Sequence, residues 1–192
     1  MEAVLRLIVP KIAAGLSFAV YPYQCKQDLL KKLPDRLRAY ASWLPDDWRI
    51  VIVVDRDDDP CRALKRNLDM IALQAGLSTR TQSPNRKVQV VNRLAIEELE
   101  AWFFGDWQAV QAAYPKVAAT IPAKQGYRDP DAIDGTWEAL ERLLQKVGYF
   151  RTGLRKIEAA RAIAEHMDPQ RNRSISFQMF RNALGEMAAN SH

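Results

Sequence analysis

The sequence predicts an α/β protein, a parallel sheet flanked by helices, and three observations carry that expectation. Ile50 to Val54 is an unbroken β-branched run, the composition of a central strand buried on both faces. Lys87 to Leu94, with Val88, Val90 and Val91, reads as a second strand, and Pro60 to Ala75, closed by Gly76, reads as a helix between the two. Each strand also runs directly into carboxylates. Asp55, Asp57, Asp58 and Asp59 follow the first, and Glu97, Glu98 and Glu100 follow the second. Ligands of open α/β sheets bind beyond the carboxyl ends of the strands, which is where both clusters fall.

The remaining elements follow in order. Val4, Leu5, Ile8 and Ile12 recur at helical spacing, so Met1 to Ile12 reads as a helix ended before Gly15. Ser17 to Tyr23 reads as a short aromatic strand, with Pro22 marking its end or a sheet edge. Gln27 to Trp43 is a basic amphipathic helix, with Leu29, Leu30, Leu33, Leu37 and Tyr40 on its apolar side and Pro34 as a point where it could kink or split. Ser78 to Asn85 is a polar loop. Ala95 to Phe104 reads as a Glu-rich helix with Ile96, Leu99 and Phe103 inward. Trp107 to Tyr114 continues or repacks it, and Pro115 to Asp134 is an irregular loop. Thr136 to Val147, Gly153 to His166 and Ser176 to Met187 are helices. The division expected is therefore an α/β core over residues 1–105 and a helical C-terminal extension over 106–192, packed as one unit.

Composition bounds the function. A chain of 192 residues, 48% hydrophobic and 27% charged, has the make-up of a soluble globular domain with a sizeable core. Its net charge of +5 sets a basic body around an acidic strand end, which suits a protein that attracts phosphodiesters and holds a cation. Cys25 and Cys61 lack metal-binding spacing, and His166 and His192 are far apart, so neither a zinc site nor a disulfide scaffold is expected. A reducing cytoplasm is the natural compartment. Arg6, Pro10 and Lys11 interrupt the apolar start, so neither a signal peptide nor a membrane span is expected there.

Asp55 and Asp57 share one face if the strand conformation persists through them. Two converging carboxylates repel unless a cation lies between them, and hard oxygen donors favour Mg²⁺ or Mn²⁺. The plainer use of the same acids is a solvated turn capping the next helix, and of Glu97, Glu98 and Glu100 the ordinary preference for acids in a first helical turn. Lys26, Arg56, Lys124 and the Arg171–Arg173 pair are the candidate phosphate or nucleic-acid contacts. Residues 168–174 either cradle a phosphate or cap the last helix, and capping is the commoner use of such a segment.

The order helix, strand, basic helix, strand ending Asp55-Arg-Asp57, helix, strand and Glu-rich helix resembles a Toprim domain. More closely, almost the whole chain resembles a bacterial family of uncharacterised Toprim-like proteins. The match is carried by Lys26 to Pro34, Val53 to Asp59, Ala95 to Phe104 and Asn172 to Phe177. The resemblance, distantly shared with nucleases of the OLD family, implies a metal site with Asp55 and Asp57 as its Asp-x-Asp pair. Glu2 resembles the glutamate near the start of the first helix, and Glu97, with Glu98 or Glu100, the later acid. The first strand of that fold, with its glutamate, has no counterpart, because the sequence opens within the following helix.

Two function classes follow. One is a Mg²⁺- or Mn²⁺-dependent nuclease or phosphodiesterase, which the resemblance sets beside an ATPase partner in phage or mobile-element defence. The other is a non-catalytic interaction or regulatory module that binds an ATPase or nucleic acid. A small-molecule phosphotransferase ranks third, and the absence of a G-x-x-x-x-G-K loop disfavours a nucleotide hydrolase of that class.

Overall fold

Two strands, β1 (Ile50–Asp55) and β2 (Val90–Ala95), run parallel, with Ile50 opposite Val90 and Asp55 opposite Ala95. They form the centre of a computed structural model that describes residues 1–81 and 87–189. Around them lie eight α-helices among the described residues. These are α1 (Glu2–Ile12), α2 (Lys26–Ala41), α3 (Cys61–Gln74), α4 (Ala101–Gly105), α5 (Trp107–Ala113), α6 (Thr136–Lys146), α7 (Lys156–His166) and α8 (Ile175–Ala189). The protein is mixed α/β, with helices dominating a small two-stranded parallel sheet.

Alternation along the strands sends side chains to two cores. Ile52, Val54 and Val90 face a smaller core built from Leu33 and Leu37 of α2 and Leu64, Leu68 and Ala72 of α3. Val51 and Val53 pack against a larger core that takes Val4 and Ile8 from α1, Trp102 to Phe104 from α4, Ile163 from α7 and Phe177 and Phe180 from α8. Residues 1–105 and 106–192 therefore share one core. Hydrogen bonds tie them as well. Asn172 Nδ2 donates to the Trp102 carbonyl at 2.8 Å, and Trp102 Nε1 donates to Ser176 Oγ at 2.9 Å. The Trp102 ring stacks on Phe180, with centroids 5.1 Å apart, and meets Phe177 edge-on.

Several expectations are corrected. Residues 17–23 form no strand. Phe18 and Tyr21 stay exposed, Pro22 has no amide for a ladder, and only Val20 packs against the core. Pro34 neither splits nor ends α2. Its missing amide and ring clash cost a helix about 3 kcal/mol, which burial of Leu33 and Leu37 against the sheet offsets. Ala95 to Phe104 is not one helix: residues 96–100 are bends and turns, and α4 begins only at Ala101. The later part of the expected loop Ser78 to Asn85, and His192, lie outside the described residues. Ser174 caps α8, its Oγ accepting from Phe177 N at 3.1 Å, which is the capping use of residues 168–174. No helix among the described residues is long and apolar enough to cross a membrane.

Candidate functional site

Past the strand ends the two chains stay paired for two more residues. Arg56 N donates to the Ala95 carbonyl and Asp57 N to the Glu97 carbonyl, each at 2.9 Å. At this point both leave extended geometry, with φ of +48° at Asp57 and +59° at Glu97. Left-handed φ is uncommon for residues other than glycine and is least rare for Asn and Asp. This kink overturns the expectation that Asp55 and Asp57 share a face. Asp55 is half-buried, its Oδ1 accepting from Leu99 N at 2.9 Å, whereas Asp57 is exposed.

The structure brings the two acid clusters together at the strand ends and gives their members different roles. Some are neutralised by the chain's own cations. Lys26 Nζ bridges Asp57 Oδ2 at 2.7 Å and Asp59 Oδ2 at 2.8 Å and donates to the Arg56 carbonyl at 2.9 Å. Burial works against the Lys26 ammonium, but hydrogen bonds and charge from Asp57 and Asp59 outweigh it and hold its pKa above the usual lysine value. Arg56 pairs with Glu97, and Glu2 pairs with Arg6 at 2.8 Å on the surface of α1. Glu98 serves the fold instead. Its Oε2 accepts from Thr136 Oγ1 and Trp137 N, both at 2.9 Å, and so caps α6 from a distance.

Asp55 and Glu100 differ, since neither forms an ion pair with a side chain among the described residues. Burial pushes the Asp55 carboxyl up to about 6, and Asp57 and Glu98 add repulsion. The Met1 amino group and the Leu99 amide pull the other way. Burial pushes Glu100 further, up to about 7, with Glu98 and Asp55 repelling it and its own amide and the Met1 amino group opposing. Two carboxyls held near neutrality at the carboxyl end of parallel strands are suited to proton exchange or to a cation.

The expected Mg²⁺ or Mn²⁺ fits this donor set in part. Asp55 and Glu100 are hard oxygen donors close enough to repel each other. Glu2, Asp57 and Glu97 do not join them, and among the described residues no three His, Cys, Asp or Glu side chains are grouped to hold a metal ion. The basic candidates divide similarly. Lys26 and Arg56 stand beside the strand-end acids and pair with them. Lys124 is exposed between short 3₁₀ turns at Ile121–Ala123 and Gln125–Tyr127, with no bond to the strand-end acids. Arg171 is taken up by fully buried Asp106, Nε to Oδ1 at 2.6 Å and Nη2 to Oδ2 at 2.9 Å, and Arg173 is exposed while its amide donates to the Gly105 carbonyl.

Sequence reasoning missed the roles of Asp59, as second partner of Lys26, and of Asp131, which accepts from Ser174 Oγ, Ser176 N and Ser176 Oγ. The Asp131 partners lie 43 and 45 residues away, beyond any local pattern.

Fold and crevice together define a helix-rich α/β protein with a carboxylate crevice at the carboxyl end of its parallel strands. Residues 2–185 match the family described as Domain of unknown function (DUF4276), and the chain belongs to that family. No curated protein matches the chain. No solved structure matches it either.

Proposed function

We propose that the protein is a divalent-cation-dependent phosphodiester hydrolase acting on nucleic acid, with the strand-end crevice as its active site. On this reading its core is Toprim-like, and it works in a reducing cytoplasm beside an ATPase partner in defence against phage or mobile elements. One observation carries the proposal: Asp55 and Glu100 lie together at the strand ends, raised in pKa and without a side-chain cation, while Asp57, Asp59 and Glu97 are paired. A Mg²⁺ or Mn²⁺ ion bound there would polarise a phosphoryl oxygen and lower the pKa of its bound water.

The chain's own residues support that site. Asp57 is about half exposed, with a side-chain exposure of 48%, against 11% for its partner Lys26. With Asp57 turned inward, Lys26 keeps Asp59 as its partner. Arg56, which pairs with Glu97, is the candidate contact for a phosphate oxygen.

A non-catalytic module that binds an ATPase or nucleic acid is the second reading. It is favoured by the internal neutralisation of Asp57, Asp59 and Glu97, which a purely structural turn also needs.

Calorimetric titration with Mn²⁺, followed by incubation with labelled DNA and RNA, separates the two. The hydrolase reading expects saturable binding that Asp55→Asn weakens at least tenfold, with metal-dependent cleavage by the parent chain. Lys26→Gln, which frees Asp57, is expected to tighten Mn²⁺ binding. Absence of binding in the parent and in Lys26→Gln would remove the metal site and leave the module.

A further inference from the structure

A second cavity, of about 340 Å³, opens along β2 between α3 and α8, toward the end of the sheet opposite the acids. It is as basic as the strand-end crevice is acidic. Arg49, Lys65, Arg80, Lys87 and Arg93 line it, against Asp69 and Glu186. Both carboxylates are already engaged. Asp69, only 3% exposed, accepts from Asn92 Nδ2 at 2.7 Å, and Glu186 pairs with Arg80. Lys65 and Lys87 have no ion pair among the described residues.

Arg93 is fixed rather than loose. Its Nε donates to the Met179 carbonyl and its Nη1 to the Asn92 carbonyl, both at 2.9 Å, leaving Nη2 for another acceptor. Burial and the nearby Arg80 guanidinium push the Arg93 pKa below the usual arginine value, so its charge is under-compensated where it stands. An anion relieves that deficit. A held arginine fork together with two ammonium groups suits a multiply charged oxyanion better than a lone carboxylate. Beside them Asn92 Oδ1 is buried without a hydrogen bond among the described residues, an acceptor open to a donor group or a water. The volume lies at the lower end of small-molecule pockets, room for a phosphate and the nucleoside attached to it.

We propose that this cavity is a binding site for a phosphate group carried by a nucleotide or by a nucleic-acid strand, held by Lys65, Lys87 and Arg93. The site is separate from the strand-end crevice and needs no metal.

Binding is measured by calorimetry in EDTA, with inorganic pyrophosphate, adenosine 5′-monophosphate and a short oligothymidylate as probes. Lys65→Gln/Lys87→Gln removes two contacts that pair with no carboxylate, so the fold is expected to survive, as checked by an unchanged melting temperature. At least one probe is expected to bind, at least tenfold more weakly in that double variant and unchanged in Asp55→Asn. Binding of the small probes identifies a free phosphate compound as the source; binding of the oligonucleotide alone identifies a strand backbone. Absence of binding by all three probes overturns the proposal. So does equal weakening by Lys31→Gln/Lys146→Gln, two exposed lysines outside the cavity, because the attraction would then be general.

Discussion

Gly105→Ala is expected to be strongly destabilising. A Cβ at this position would fall on Asn172 Oδ1 and stand 2.8 Å from Ser174 N and 2.9 Å from Ser174 Cβ. Asn172 cannot swing away freely. Its Oδ1 holds Ser174 N at 3.0 Å and its Nδ2 holds the Trp102 carbonyl, all buried. Leaving such groups unsatisfied costs about 1–3 kcal/mol each, and overpacking alone adds about 1–3 kcal/mol. The helix-propensity gain of alanine over glycine, about 1 kcal/mol, is smaller and of opposite sign. The net loss is about 4 kcal/mol, a fall in melting temperature of roughly 10 °C for a chain of this size. Gly185→Ala in α8 is the control: nothing lies within 4 Å of its Cβ, so a gain of about 0.5–1 kcal/mol is expected. Equal melting temperatures for the parent and Gly105→Ala would show that the 172–174 strap is not seated against α4.

Thermal stability is expected to fall as pH rises from about 4 to about 7, and Glu100→Gln is expected to remove much of that fall. In the folded state Asp55 titrates near 6 and Glu100 near 7, against ordinary values of 3.8 and 4.5. A carboxyl with a raised folded pKa favours folding in its protonated form. Its contribution is therefore complete below the unfolded value, and it is lost as pH climbs to the folded one. A tenfold change in proton affinity between the folded and unfolded chain is worth about 1.4 kcal/mol, so each group contributes up to ~3 kcal/mol. Because the two carboxyls repel one another, they titrate as a pair. Glu100→Gln keeps the shape and deletes the charge, so it is expected to match the parent near pH 4 and exceed it above about pH 7 by several degrees. Asp55→Asn behaves in the same way with a smaller span. If the parent and Glu100→Gln keep a constant difference across this range, the crevice carboxyls are not held in the way described. Mn²⁺ supplies a second check, since a cation at the pair is expected to raise the melting temperature of the parent at pH 8 and not that of Asp55→Asn.

Local pattern carried most of the elements. The Ile50 to Val54 run, the helical spacing over α1, α2 and α3, and Gly76 beyond α3, where φ is +82°, all follow from residues within a few positions of one another. So does the placement of both acid clusters at strand ends, because a parallel pair of strands must end on the same side. Where local pattern misled, tertiary packing outweighed it. Residues 17–23 have strand composition but no ladder partner, and Pro34 stays in a helix because the leucines around it are buried.

The roles of the acids were decided only in three dimensions. By sequence Asp55, Asp57, Asp59, Glu97 and Glu100 are alike. The fold hands Asp57 and Asp59 to Lys26, about 30 residues away along the chain, and Glu97 to Arg56, 41 residues away, and leaves Asp55 and Glu100 unpaired. The basic cavity on β2 has the same origin, drawing Lys65 from α3 and Arg93 from β2 to one place. The physical reason is range. Propensity and periodicity act between neighbours in the chain, whereas desolvation and Coulomb interaction act between neighbours in space, and only the packed structure says which residues those are.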